Sequence, residues 1–417
     1  MLAFIFLPRL WSVSKKHGFV TAADFVRARY GSSLLAVIIA FTGIVATMPY
    51  TALQLVGMEV IFKALGFVGS GWTSEIPLII AFVILSLYTY SSGVRAPALI
   101  AVVKDIMIYV TVFVVIMILP GKLEGWEHIF ETASSALADK TSSGGIVPSS
   151  KEILPYASLS LGSALALFMY LHAITGVLSA KSGKVVRRNM MLLPLFSFPL
   201  VVISLMGYMA YSAGIKPDTT NDVVPLLFLQ MFPGWFTGFA FAAISIGTLV
   251  PASVMSIAAA NLFTRNIYKE YIRPNCTAKQ ESDMAKLISL IVKFGALGFV
   301  LFLPLEYAIN LQQLGGVWIV QTLPAIVLGL YTNWFHRSAL LWGWLAGMIA
   351  GTGMVYANGF QSTIYPLTLL GHTVSVYAAI YAWIANLVVA AGLTLILRAF
   401  RVTKGKDLTE AGDYVAS

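Results

Sequence analysis

Apolar residues in this chain run in long blocks, with no strict two-residue alternation, and polar or glycine- and proline-bearing clusters separate the blocks. About ten blocks stand out, at roughly 33–62, 76–93, 97–119, 156–179, 190–213, 234–264, 284–303, 306–330, 338–356 and 376–399. Each approaches or exceeds the roughly twenty residues a helix needs to cross a bilayer's hydrocarbon core. Proline, glycine or charge marks most of their ends, as expected of helix termini. The opening residues 1–10, MLAFIFLPRL, are apolar but too short to span, and read as the tail of a helix. They lack the preceding basic region and following small-residue cleavage site of a signal peptide.

Composition sharpens this pattern into a class. With 58% hydrophobic and 11% charged residues and a mean hydropathy of +0.83, the chain reads as an all-α polytopic membrane protein. About ten full transmembrane helices are expected, with a partial one before them. The net charge of +9 would point a soluble protein toward nucleic acid, but here the loops account for it and no nucleic-acid partner is expected. Arg9, Lys15, Lys16, Arg27 and Arg29 open the chain, and basic clusters follow the fourth and sixth blocks (Lys181, Lys184, Arg187 and Arg188; Arg265, Lys269 and Arg273). Arg398, Arg401, Lys404 and Lys406 close it, while the intervening loop 121–155 is acid-rich. Alternation of this kind predicts that the Arg27 region and the tail 400–417 face the cytoplasm of a plasma-membrane protein. The run TSSGGIVPSS in loop 121–155 reads, from its Ser and Gly content, as a flexible outer loop.

Chemistry beyond transport finds little support. A single cysteine, Cys276, and five scattered histidines supply no metal-ligand cluster. No P-loop, nucleophile elbow or dinucleotide fingerprint is present, so neither an enzyme nor a cofactor is expected. Secondary transport through the bilayer remains.

The most informative stretch is Phe241–Lys269, FAAISIGTLVPASVMSIAAANLFTRNIYK. Its small residues suit a helix approached closely by neighbours. Pro251 lacks an amide hydrogen, so the Gly247 carbonyl loses its helical partner and is either a potential ligand or is repaired locally. The stretch resembles the eighth core helix of the sodium/solute symporter family, whose members end it in LFTRDIYK. Fourteen and thirteen residues before Thr264, where that family places two sodium-binding hydroxyls, this chain has Val250 and Pro251. Of the family's three ligands on this helix, only the carbonyl corresponding to Gly247 survives. The departure resembles the bacterial monocarboxylate permease branch.

Two further stretches carry the resemblance: TAADFVRARYG from Thr21, similar to the family's TLPEFLxxRYG, and LPAIVLGLYTNWFHRSALLWGWLAGMIAG from Leu323. The resemblance implies a leucine-transporter-type inverted-repeat fold with its site at the midplane. Within one transporter domain spanning 1–417, residues 33–119 would be core helices three to five, 156–330 core helices six to ten, and 338–399 peripheral helices. The first core helix and most of the second would lie upstream.

Polar side chains at membrane depth are the site candidates. His172 falls in the segment matching the family's broken sixth helix, with Thr175 and Gly176 compatible with an unwound turn. Tyr170, His172 and Thr175 are expected to line the substrate site, His172 binding a carboxylate or relaying a proton; a histidine satisfied by a neighbouring carbonyl is the alternative. Gln54 and Gln313 join them as pathway-lining candidates, with Gln312, Gln321 and Asn310 nearby, although interhelical hydrogen bonding explains these too. Trp318 and Tyr307 are candidate gates. Lys293, Asp105 and Glu59 are further ionisable positions, with a Lys293–Asp105 pair conceivable. The expectation is a symporter of small monocarboxylates such as lactate or pyruvate, coupled to H+ or Na+. The alternatives are a sodium-coupled symporter of another solute and a non-transporting remnant.

Overall fold

The computed structural model describes residues 2–67, 69, 73, 75–92, 95–138, 146–302, 308–369 and 371–415. In chain order the helices are α1 (Leu2–His17), α2 (Ala22–Tyr30), α3 (Ser33–Ala64), α4 (Ile76–Ser92), α5 (Arg95–Lys122), α6 (Gly125–Ala138), α7 (Ser150–Leu167) and α8 (Leu171–Leu178). They continue with α9 (Gly183–Ser212), α10 (Val223–Met231), α11 (Gly234–Phe263), α12 (Ala278–Phe302), α13 (Ala308–Ile319), α14 (Leu323–Ile326), α15 (Arg337–Ala357) and α16 (Ala378–Ala399). All ten apolar blocks therefore contain helix. Among the described residues eight helices are long and apolar enough to cross a membrane, nine if the bent pair α7 and α8 is one span, and Ile76–Thr89 is a shorter apolar helix. The chain is a multi-pass membrane protein.

Helix α11 sits at the centre, packed against α3, α5, α8 and α12. Its small residues make this possible: Ala252, Ser253, Ser256, Ala259 and Ala260 are all buried, and close backbone approach replaces hydrophobic driving force between helices in lipid. The helix runs unbroken through Pro251. At its end the backbone widens into a π-helical turn, Thr264–Ile272.

Two features differ from expectation. The uncharged loop after α15 contains an antiparallel hairpin, β1 (Ile364–Leu369) and β2 (His372–Tyr377), paired from Ile364↔Tyr377 to Leu369↔His372. Its β-branched residues Thr373, Val374 and Val376 favour extended backbone, and Gly371 supplies the left-handed turn conformation at φ 81°. The acid-rich loop contains α6, which packs on α9.

The three stretches that carry the family resemblance meet at one end of the bundle. Thr21 caps α2 in a reciprocal box with Asp24, an arrangement worth about 1 kcal/mol. The same two residues bind the π-helical turn: the Thr21 hydroxyl donates to Asn266 Oδ1 at 2.9 Å, and Asn266 Nδ2 donates to Asp24 at 2.6 Å. Arg27 pairs with Glu270 at 2.6 Å. From the third stretch, Leu330 accepts from Arg9 Nε at 2.8 Å and Arg337 donates to the Gly31 carbonyl at 3.1 Å.

The C-terminal tail straps this end. The Leu408 amide donates to the Ala28 carbonyl at 2.9 Å, and Arg29 pairs with Asp407 at 2.7 Å. The Tyr414 ring lies under the guanidinium groups of Arg9 and Arg29, at 5.0 and 5.3 Å. Lys16 and His17 both reach the buried Asp413 carboxylate, at 2.5 and 2.7 Å. Gly31 is needed here: it closes α2 at φ 56°, and a Cβ would stand 2.7 Å from the Lys406 amide nitrogen.

Candidate functional site

Helices α7 and α8 form one span broken by a 47° bend. The break falls at residues 168–170. Tyr170 takes extended backbone (φ −62°, ψ 143°) as the residue capping α8; its carbonyl accepts from the Ala173 and Ile174 amides at 3.1 and 3.2 Å, which leaves the Leu171 and His172 amides as the orphan donors of the helix start. Thr175 and Gly176, where an unwound turn was expected, lie inside α8 instead. A buried tyrosine locked into neighbouring helices stops the helix more effectively here than an exposed glycine does.

Three rings gather at the break. Tyr170 and His172 stack at 5.8 Å with planes 24° apart, and Tyr50 of α3 closes the group at 4.9 Å from Tyr170 and 5.7 Å from His172. The Tyr170 hydroxyl donates to the Gln312 carbonyl at 3.0 Å, tying the break to α13. His172 Nδ1 is buried and has no hydrogen-bond partner. A half-helix N-terminus, a ring nitrogen with spare capacity and three aromatic faces can together hold a small anion with an apolar body.

The remaining candidates disperse. Thr175 lines a separate cavity of about 530 Å³ between α2, α8, α11 and α12, with Leu171, Asn261, Thr264, Arg265 and Glu281 also on its wall. This cavity opens at the strapped end and reaches Leu171, the residue before His172. Gln313 turns toward the hairpin, where its Oε1 accepts from Thr363 at 2.6 Å and its carbonyl accepts from Tyr377 at 2.5 Å. Gln54 is half-buried on α3 and makes no hydrogen bond to another described residue. Gln321 is committed to α16 through Asn386 Nδ2, at 2.9 Å to its carbonyl. Asn310 donates to the Gln361 carbonyl at 2.5 Å, and Trp318 donates to Thr352 at 3.1 Å; Tyr307 lies outside the described residues. Asp105 pairs with its neighbour Lys104 at 2.9 Å, and Glu59 with Lys63 at 2.5 Å.

On α11, Val250 is buried and Gly247 is partly exposed. The nearby hydroxyls turn onto their own helix: Thr248 donates to Ser245, Ser253 to Leu249 and Ser256 to Ala252, at 2.8–2.9 Å. Sequence reasoning passed over Tyr50. Its position after Pro49 in the middle of α3, deep within an apolar block, is the feature that could have singled it out.

Comparison with known proteins agrees with this architecture. The chain is 50% identical over 396 residues to a monocarboxylate transport permease protein of Rhizobium johnstonii, covering 95% of this chain and 79% of the relative. It is 35% identical to an uncharacterized symporter, YodF, of Bacillus subtilis, covering 87% of this chain and 72% of the relative. A solved Na+-coupled sialic acid symporter superposes with a TM-score of 0.71 at 14% identity, over 94% of this chain and 83% of that one. That match establishes the leucine-transporter-type fold. The sequence profile of the sodium:solute symporter family matches residues 1–351, the span containing the broken helix, the central α11 and all three converging stretches, and the chain belongs to that family.

Proposed function

We propose that this symporter carries small monocarboxylates, such as lactate or pyruvate, across the plasma membrane together with a proton. The observation that carries the reading is the ring cluster at the α7–α8 break, where His172 Nδ1 is buried without a partner beside the Leu171 and His172 amides that open α8. A carboxylate fits those donors, and the Tyr50 and Tyr170 rings, 4.9 Å apart, offer apolar faces to a short chain. The relative at 50% identity bears the name of a monocarboxylate permease, which supports the same class.

Proton coupling is favoured by Val250 and Pro251, which offer no side-chain oxygen where the family holds sodium. The Arg27 region, the 530 Å³ cavity and the C-terminal strap are read as cytoplasmic from their basic loops. In that orientation the cavity is the inner half of the pathway. Residues 33–119 and 156–330 are read as the described parts of the two repeats, and 338–399 as peripheral.

Uptake of radiolabelled lactate into proteoliposomes under an inward proton gradient, without sodium, tests this. Sodium-dependent uptake indifferent to pH contradicts the proposed coupling. His172→Ala is expected to abolish uptake, whereas near-normal transport by that variant removes His172 from the site.

A further inference from the structure

Lys293 is the one ionisable residue in the apolar half of α12, between Ile288 and Phe302. It stands nine residues before the end of that helix, about 14 Å along the axis at 1.5 Å per residue, and so near the middle of a hydrocarbon layer about 30 Å thick. It does not snorkel to either surface: the residue is 2% exposed. Its ammonium donates to the Ser289 hydroxyl of its own helix at 3.1 Å. No carboxylate among the described residues lies within ion-pair distance of it.

The helices around it confirm the electrical isolation. Helix α12 packs on α3, α4, α11 and the π-helical turn. Helix α11 contains no ionisable residue from Gly234 to Phe263. On α3, Glu59 and Lys63 neutralise each other more than two turns beyond Met48, the residue that meets α12 at Gly295, and Tyr50 belongs to the ring cluster. Helix α4 offers Tyr88. The charges of the turn and of the start of α12 gather at the strapped end: Arg265, Lys269 and Glu270, with Tyr268 and Tyr271, on the turn, and Lys279, Glu281, Asp283 and Lys286 on the helix. Lys269 pairs with Glu281 and Glu270 with Arg27.

The one polar partner of Lys293 is the Ser289 hydroxyl, and further buried hydroxyls lie along the neighbouring α4 and α11. The Phe82–Phe294 contact, 4.9 Å between rings, fixes α4 against α12. One turn along α4 from Phe82 is Ser86, whose hydroxyl is buried without a partner; next comes Thr89, which donates to Ser253 of α11 at 3.2 Å. The helical turn that precedes Lys293 also touches the proposed substrate region. Leu171, which precedes His172 and lines the cavity, packs in one cluster with Ile288 and Val292 of α12.

We infer that Lys293 is the residue that carries the coupled proton through the transport cycle. An ammonium buried with one hydroxyl partner carries a desolvation cost that no countercharge among the described residues repays. It therefore yields its proton to water admitted from one side more readily than an ammonium held by a carboxylate does. In the step, the N–H bond breaks toward a cytoplasmic water, which becomes hydronium, and leaves a neutral amine. The amine takes one proton from the outer side on return, so each cycle moves one proton and one carboxylate inward. This inference rests on the monocarboxylate reading above and moves the proton from His172 to Lys293.

Proteoliposomes bearing the wild type, Lys293→Met and Lys293→Arg, probed with labelled L-lactate, test it through two readouts. Lactate–lactate exchange at uniform pH needs no net proton movement, whereas accumulation driven by a proton gradient does. Both variants are expected to keep exchange within about threefold of wild type and to lose accumulation at least tenfold. Arginine fails because it keeps the charge but does not release its proton. Gradient-driven accumulation by Lys293→Met at the wild-type level overturns the inference. Loss of exchange in both variants also overturns it, assigning Lys293 a structural role. Wild-type vesicles that move no lactate overturn the substrate reading and this inference with it; wild-type transport with an unaffected Lys293→Met overturns the inference alone.

Discussion

Substitution of Gly315 by alanine tests how the broken span is anchored. Gly315 lies on α13 where that helix crosses α3, and a Cβ built there stands 2.5 Å from the Ala46 carbonyl oxygen and 2.6 Å from the Tyr170 hydroxyl. Both distances are too short for contact, and the first obstacle is backbone that cannot rotate away. Overpacking of this kind costs about 1–3 kcal/mol. Displacing the Tyr170 hydroxyl from the Gln312 carbonyl adds roughly 1 kcal/mol for the lost hydrogen bond. Gly315→Ala is therefore expected to lower stability by about 2–4 kcal/mol. It should also reduce lactate uptake, because Tyr170 caps α8. The control is Gly353→Ala on α15, where a Cβ meets nothing within 4 Å; it should be neutral or stabilising by up to about 1 kcal/mol. Denaturant-induced unfolding in detergent micelles measures both. Adding Tyr170→Phe to Gly315→Ala removes one of the two obstacles, so the double variant should lose less than the sum of the singles. Equal stability of Gly315→Ala and Gly353→Ala would refute the close packing of α13 on α3.

Tyr50→Leu removes the ring that meets Tyr170 and His172 at the break and, with it, about 0.5–1.5 kcal/mol of aromatic contact; the KM for lactate should rise several-fold, while Tyr50→Phe, which keeps the ring, should stay near wild type. At the strap, burial works to raise the Asp413 carboxyl, but hydrogen bonds from His17, Lys16 and the Glu410 amide prevail and hold it well below the usual carboxylate range. A carboxyl depressed in the folded state stabilises above its unfolded value and loses that contribution as pH falls through about 4 and lower. Limited proteolysis of the tail should thus accelerate as pH drops below about 4, and Asp413→Asn should show fast cleavage already at neutral pH; a cleavage rate unchanged by the substitution would contradict the buried pairing.

Much of the architecture was readable because lipid leaves the chain few choices. Blocks such as 284–303 and 376–399 must be largely helical to satisfy their backbone, and the described residues 284–302 and 378–399 are helix. The position of the break was less readable. Thr175 and Gly176 looked like a place for unwinding, yet the turn falls at Phe168–Tyr170, where the Tyr170 hydroxyl finds the Gln312 carbonyl 142 residues away. No local propensity records such a contact. The same limit applies to the glutamines: Gln313 and Gln321 share a helical segment with pathway candidates, but their partners, Thr363 and Asn386, come from later in the chain. Tyr50 escaped notice because an aromatic in an apolar block carries no mark of its role. The strap was hidden in a tail of ordinary polarity, since nothing local shows that Asp407 answers Arg29.

The strap joins groups far apart along the chain: Ser12 donates to the Asp413 carbonyl, 401 positions on. During synthesis at about 5–20 residues per second, α1 and α2 wait roughly 20–80 seconds for their cover to emerge from the ribosome. Throughout that interval Arg9, Arg29 and the underside of Phe25 stand open to chaperones and proteases. Closure of the buckle is thus a late step, and a chain that stalls before Asp407 leaves Arg29 without its carboxylate partner.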